Sequence, residues 1–354
     1  MSEKPGLVVL FGSGETSASG RKIFDWLLSR LSPSVQTAIL ETPAGFELNS
    51  AQVAGRVADF LRHHLQNHQP QVTVVPARKR GTPFSPDNPD VVAPLLQADA
   101  IFLGPGSPTY AVRQLQDSLA WHTLVARHRL GGAIILASAA AIASSTYALP
   151  VYEIYKVGQD LHWCDGLDFF GVYGLSLVFV PHWNNTEGGT DLDTSRCYMG
   201  QARFEPLLAM LPPDVTVVGV DEHTALVLDL AAETCHVLGK GGTTLLRHGT
   251  ERRFENGEAF PINELGHFRM ATPHAGLPPR VWECAKTARA EARAQTTPVP
   301  SPEVLSLVEE RVAARARRDW STADALRDRI TALGWQVLDT QHGPRLEPTQ
   351  DSAA

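Results

Sequence analysis

The run Gly131-Gly132-Ala133-Ile134-Ile135-Leu136-Ala137-Ser138-Ala139-Ala140-Ala141 constrains this chain more than any other segment. Ile134, Ile135 and Leu136 have no polar alternation, as a parallel strand covered on both faces requires. The small residues from Ala139 to Ala143 crowd nothing and favour helix. The pattern predicts a buried strand that ends at Ser138 and turns into a helix. A serine at such a turn can hold its hydroxyl above the sheet edge, near the amino end of the helix. It also suits a plain helix cap, so other parts of the chain must decide its role.

Those parts repeat one theme. Leu7 to Phe11 is a short apolar run followed by Gly12-Ser13-Gly14-Glu15-Thr16 and a helical pattern through Ile23, Phe24, Trp26, Leu27 and Leu28. Glycines at that strand end suit a tight turn facing a pocket. They do not make a G-x-G-x-x-G dinucleotide fingerprint, and no cofactor is expected. Further strands are predicted at Ala38 to Leu40, Val72 to Val75 and Ala100 to Leu103, the last running into Gly104-Pro105-Gly106-Ser107. Helices are predicted from about Asn49 to Leu65, Ala111 to Ser118 and Trp121 to Arg129. Such alternation predicts an α/β fold with a mostly parallel sheet and helices on both faces. Later runs at Leu175 to Val180 and Val215 to Val220 end in Pro181-His182-Trp183-Asn184-Asn185 and Asp221-Glu222-His223-Thr224. Shorter, antiparallel strands are expected after Ala225.

The large domain is expected to close near residue 285. Residues 286–302 read as a helix tail and linker, rich in alanine, threonine and proline. Residues 303–348 then read as a small helical domain. Leu305, Val308, Val312 and Ala316 share one helical face, and Ala323, Leu326, Ile330 and Leu333 another, with a possible strand at Val337 and Leu338.

Composition narrows the function. A formal charge of -7 gives no global pull toward nucleic acid or anionic membrane. Cys164, Cys197, Cys235 and Cys284 are scattered, without a C-x-x-C pair, and read as reduced thiols. His63, His64 and His68 form no H-E-x-x-H set, so no metal is expected. No run approaches a membrane span, and the amino end lacks a signal-peptide pattern, which points to the cytoplasm and to no membrane partner.

Three strand-end residues carry the chemistry. Ser138 needs a base, His182 can supply one, and a carboxylate can fix the imidazole tautomer. Glu222 is the expected carboxylate, with Asp221 as its competitor. Donors for a developing oxyanion are expected from the N–H groups of Gly106 and Ala139. Asn184, Asn185, Glu187, Arg196 and Arg203 are candidates to hold a charged or peptide-like substrate.

On these residues the first part of the chain, about 7 to 285, resembles the class I glutamine amidotransferase-like fold. The resemblance is to its serine branch, peptidase family S51 (dipeptidase E and cyanophycinase). The G-x-S-A-G-A elbow of that branch is matched by Leu136-Ala137-Ser138-Ala139-Ala140-Ala141, with Leu136 and Ala140 where the family has glycines. Pro181-His182-Trp183 matches its histidine element, Glu222 its late glutamate, and Gly104-Pro105-Gly106-Ser107 its oxyanion loop. The resemblance implies serine hydrolysis of a small peptide or amide through an acyl-enzyme, and a possible homo-oligomer. If the replaced glycines serve the backbone, it implies instead a non-catalytic binding module.

Residues 303 to 346 are similar to the carboxyl-terminal domain of bacterial cysteinyl-tRNA synthetase, through Val308 to Trp320, Ala323 to Asp328, Leu333-Gly334 and Asp339-Thr340. That resemblance implies contact with tRNA, another structured RNA or a protein partner. Arg311, Arg315, Arg318, Arg327 and Arg329 are the candidates to meet phosphate, but acidic residues interleave with them, and such mixing suits the solvated ion pairs of a small docking module as well.

Overall fold

The computed structural model describes residues 4–31, 34–296, 300–340 and 343–349. It divides into two compact units, Met1–Arg289 and Ala290–Ala354. In the first unit β1 (Val8–Phe11), α1 (Ala18–Leu28), β2 (Gln36–Leu40), α2 (Ser50–His64), β3 (Gln71–Val75), α3 (Pro89–Val92) and β4 (Ala100–Leu103) come first. Next are α4 (Pro108–Leu115), α5 (Leu119–Arg129), β5 (Ala133–Ala137), α6 (Ala139–Ala143), β6 (Tyr147–Ala148), α7 (Val151–Tyr155) and β7 (Cys164–Asp165). The chain continues through β8 (Leu177–Val180), α8 (Gly200–Ala209), β9 (Thr216–Val220), β10 (Thr224–Asp229) and β11 (Thr234–Gly239). Then come β12 (Gly242–Arg247), β13 (Thr250–Glu255), β14 (Ala259–Pro261) and α9 (Pro279–Thr296), whose residues from Ala290 on fall in the second unit. That last helix covers the first part of the stretch read as a linker.

The main sheet has the order β14-β11-β10-β1-β5-β4-β2-β3. Strands β1 to β5 pair in parallel, and β10, β11 and β14 extend the sheet antiparallel. A second sheet has the order β13-β12-β9-β8, in which β8 and β9 are parallel and the other pairs antiparallel. The architecture is therefore mixed α/β, where the alternation had suggested a mostly parallel sheet. The late strands are joined by turns too short for the dozen or more residues that a parallel crossover needs.

Both faces of the main sheet are buried, and the residues alternate between them. Val8, Leu10, Ile101, Leu103, Ile134 and Leu136 belong to one core cluster. Val9, Phe11, Ala100, Phe102 and Ile135 belong to another. Burying each large side chain of β5 stabilises the fold by about 1.5–3 kcal/mol, which holds the end of that strand rigidly. The helix expected from Ala111 starts three residues earlier, because Pro108 occupies its first position and the Ser107 hydroxyl accepts the Tyr110 N–H at 3.2 Å. Among the described residues, no helix is long and apolar enough to cross a membrane.

The second unit packs α10 (Pro302–Ala316) and α11 (Trp320–Ala332) with an antiparallel hairpin of β15 (Trp335–Thr340) and β16 (Gly343–Pro348). It is thus not purely helical. Its core is Val304, Leu307, Leu326, Ile330, Trp335 and Val337. The buried face of α10 is one residue out of register with the predicted stripe, and Leu305 and Val312 are exposed. Arg311 explains the shift. It is buried on the core face and bonds both Asp339 carboxylate oxygens at 2.9 Å, a pairing that fixes the helix against the hairpin.

In the body, His128 is fully buried, with Nε2 3.0 Å from the Tyr173 hydroxyl. Burial, aided by Arg129, pushes its pKa down to about 3. Unfolded imidazole titrates near ~6.5. Between those values the unfolded chain binds a proton that the folded chain does not. Stability contributed by neutral His128 is therefore complete above that range and lost as pH falls, by up to ~1.4 kcal/mol per unit. Denaturant titrations between neutral and mildly acid pH should show that loss. His128→Gln should flatten the dependence, and an unchanged slope would contradict this origin.

Candidate active site

Strand β5 lies between β1 and β4, with Ala137 opposite Phe11 and Leu136 opposite Leu103. The loops after these strands consequently meet at one edge. Ser138 follows β5 at φ 51°, ψ −112°, outside the regions that side-chain-bearing residues ordinarily adopt. Its N–H is tied to Phe11 O at 3.3 Å, and its carbonyl accepts the Ile142 N–H at 3.2 Å. The side chain makes no capping bond to α6. Its Oγ lies instead 3.0 Å from His182 Nε2. His182 Nδ1 lies 3.0 Å from Glu222 Oε1.

His182 and Glu222 arrive from the second sheet, not from further strand ends of the main one. His182 follows β8 in a left-handed conformation, φ 52°. Its N–H donates to Gly12 O at 3.2 Å, and its carbonyl accepts from the N–H groups of Asn185 and Cys197. Glu222 sits in the short turn from β9 of the second sheet to β10 of the main sheet. That turn presses so closely on Gly12 that a β-carbon there would meet Asp221 O at 2.1 Å. Gly12 is thus a contact point where the two sheets meet.

It is Glu222, not Asp221, that reaches the imidazole. Asp221 points inward, 1 % exposed, and accepts from Arg253 Nη2 at 2.7 Å and the Gly242 N–H at 2.8 Å. Asn184 and Asn185 hold Glu222: Asn184 Oδ1 accepts its N–H at 2.8 Å, and Asn185 Nδ2 donates to its Oε1 at 2.9 Å. The hydrogen bond with His182 keeps the Glu222 carboxyl below its ordinary pKa; partial burial opposes this and Asn185 adds to it. That arrangement suits a carboxylate that stays ionised and fixes an imidazole.

The remaining predicted residues fall in different places. Ala139 opens α6, so its N–H follows the serine directly. Gly106 lies in the loop after β4, beside β5, at φ 149°, and a β-carbon there would meet Pro43 O at 2.0 Å. Glu187 accepts the Tyr198 hydroxyl at 3.1 Å. The Arg196 guanidinium lies 5.0 Å from the Trp183 ring centre, and Arg203 is exposed on α8. Sequence reasoning passed over Tyr198, whose ring lies 5.8 Å from that of His182. It closes a run, Arg196, Cys197 and Tyr198, of three successive left-handed residues. No periodicity announces such a run.

The strain at Ser138 is measurable. Glycine adopts positive φ without the β-carbon clash, and a residue held in such a conformation stores about 1–3 kcal/mol. Ser138→Gly should therefore raise the melting temperature, by about 2 °C per kcal/mol for a domain of this size. A melting temperature lower than that of Ser138→Ala would contradict the strain.

The fold of the body and the sequence of the C-terminal region each have a counterpart among known proteins. The crystal structure of a peptidase from an acI-B1 Actinobacterium superposes with a TM-score of 0.59 and 21% sequence identity, over 74% of this chain and 98% of that one. Residues 297–343 match the family profile described as "Cysteinyl-tRNA ligase anticodon binding domain". The body shares the fold of that peptidase, and the C-terminal region matches the ligases' anticodon-binding domain. The cysteine–tRNA ligase of Methanosarcina mazei is 46% identical over 61 residues, 17% of this chain and 13% of that protein. That of Methanosarcina acetivorans is 33% identical over 118 residues, 31% of this chain and 25% of that protein. The chain thus spans a quarter or less of the length of these ligases.

Proposed function

We propose that the body is a serine hydrolase acting on a small peptide or amide through an acyl-enzyme. Ser138 attacks the carbonyl carbon, and His182 takes the serine proton and delivers it to the leaving nitrogen. Glu222 holds the imidazole tautomer and supports the imidazolium. The N–H groups of Ala139 and Gly106 serve as oxyanion donors. Water then cleaves the ester by the same proton relay. The observation that carries this reading is the strained Ser138, whose hydroxyl bonds His182 and not the helix it precedes. Leu136 and Ala140, where the resembled family has glycines, are both buried in the core. Asn184 and Asn185 are engaged on Glu222, Glu187 on the Tyr198 hydroxyl and Arg196 on Ser195 and Trp183, so Arg203 is the candidate of this region whose side chain has no partner among the described residues.

The second unit is read as an RNA-contacting domain. Trp320 is exposed at the start of α11, the Arg315 guanidinium lies 5.6 Å from its ring centre, and Arg317 and Arg318 are exposed beside it. An aromatic face among arginines suits unpaired bases and phosphates. Of the arginines expected to meet phosphate, Arg311 is committed to Asp339 in the core, and Arg315 also pairs with Asp339, at 3.0 Å. Arg327 pairs with Asp324 at 3.1 Å, which leaves Arg318 and Arg329 of that set.

A panel of dipeptides and small amides, followed by amine release, tests the hydrolase. Wild-type protein should turn over at least one class. Ser138→Ala and His182→Ala should each lower kcat by about 10⁴-fold or more, with Glu222→Gln intermediate. Folded wild-type protein without turnover would favour a binding module that keeps the fold alone.

A further inference from the structure

A cleft of 640 Å3 adjoins the oxyanion loop, which supplies Ser107 to its lining. Lys79, Arg113 and Lys156 line it with Phe46, Tyr110 and Tyr152. The cations are exposed, and among the described residues none of the three lies in an ion pair with a carboxylate. The Phe46 and Tyr110 rings are 5.2 Å apart, and the Arg113 guanidinium stands 5.3 Å from the Tyr110 ring centre. Phe46 and Tyr152 keep 50% and 40% of their surfaces exposed. Two carboxylates also line the cleft, Glu47 and Glu153, and Glu153 accepts the Thr109 hydroxyl.

A single amino acid as leaving group would leave most of this volume to water, because a cleft this size suits a ligand as large as a nucleotide. Half-exposed aromatic faces beside unpaired cations suit a base stacked near phosphates. We propose that the cleft takes the nucleotide end of the substrate, so that the acyl group removed by Ser138 is carried on the 3′ end of an RNA. This rests on the serine hydrolase reading above but makes the scissile bond an ester in place of an amide, and the RNA contact read for the second unit points to the same substrate class. In the step, Ser138 Oγ bonds to the ester carbonyl carbon and the carbon–oxygen bond to the ribose breaks. The serine proton passes through His182 to the ribose oxygen. Water then cleaves the acyl-enzyme to free acid and restores the serine, with no other reactant needed.

The test uses the full chain and bulk tRNA charged with a mixture of labelled amino acids, with uncharged tRNA as competitor. A burst with p-nitrophenyl acetate reads serine reactivity in parallel. Wild-type protein should release the label, and Ser138→Ala should not. The double variant Lys79→Ala with Lys156→Ala should raise KM for charged tRNA by about tenfold with kcat little changed. It should also flatten the salt dependence by roughly 0.7 per lost phosphate contact, a change that a merely structural role would not give. An acetate burst with charged tRNA left intact would overturn the inference while leaving the hydrolase standing. The absence of both would overturn the two together.

Discussion

The line of hydrogen bonds from Ser138 through His182 to Glu222 joins two sheets, and the body is arranged around that junction. Ser138 is fixed by β5, the strand at the middle of the main sheet. His182 and Glu222 are presented by β8 and β9 of the second sheet. Neither sheet positions the three groups alone. Gly12 is where they meet: its carbonyl accepts the His182 N–H, its own N–H donates to Thr224 O, and it has no room for a β-carbon. Side chains held by such packing stay within reach of one another, which is what the proposed proton relay would need in order to lower the entropic part of a barrier.

Strain and support are distributed unequally around this line. Ser138, His182 and the Arg196-Cys197-Tyr198 run all have positive φ, and conformations of that kind persist only where the surroundings over-determine them. The support here is polar as well as apolar. Asn184 and Asn185 bond the glutamate from two directions, and the buried Asp221 ties the preceding residue to Arg253 and the β12 backbone. A turn so fully bonded resists the rotation that would carry Glu222 away from the imidazole.

Much of the candidate site was legible because each of its three proposed catalytic residues follows an apolar run. Ile134 to Leu136 announces Ser138, and the runs before Pro181 and Asp221 announce His182 and Glu222. What the runs do not carry is sheet membership, since a buried strand reads alike in either sheet. The two asparagines were legible as polar loop residues, but their service to Glu222 depends on a turn more than thirty residues away in the chain. In the second unit α10 offers two apolar stripes one residue apart. Long-range contacts, the pairing of Arg311 with Asp339 and the packing against Leu326, Ile330, Trp335 and Val337, go with Val304 and Leu307 over Leu305 and Val312. Local periodicity cannot contain that choice.

The central claim is that this junction makes Ser138 a nucleophile. Labelling of the intact chain by a fluorophosphonate, read by mass on the peptide that contains Ser138, tests it most directly. The account predicts a single adduct on Ser138, lost in Ser138→Ala and slowed at least a hundredfold in His182→Ala. A folded protein that takes no label, or one labelled equally fast without His182, would contradict it.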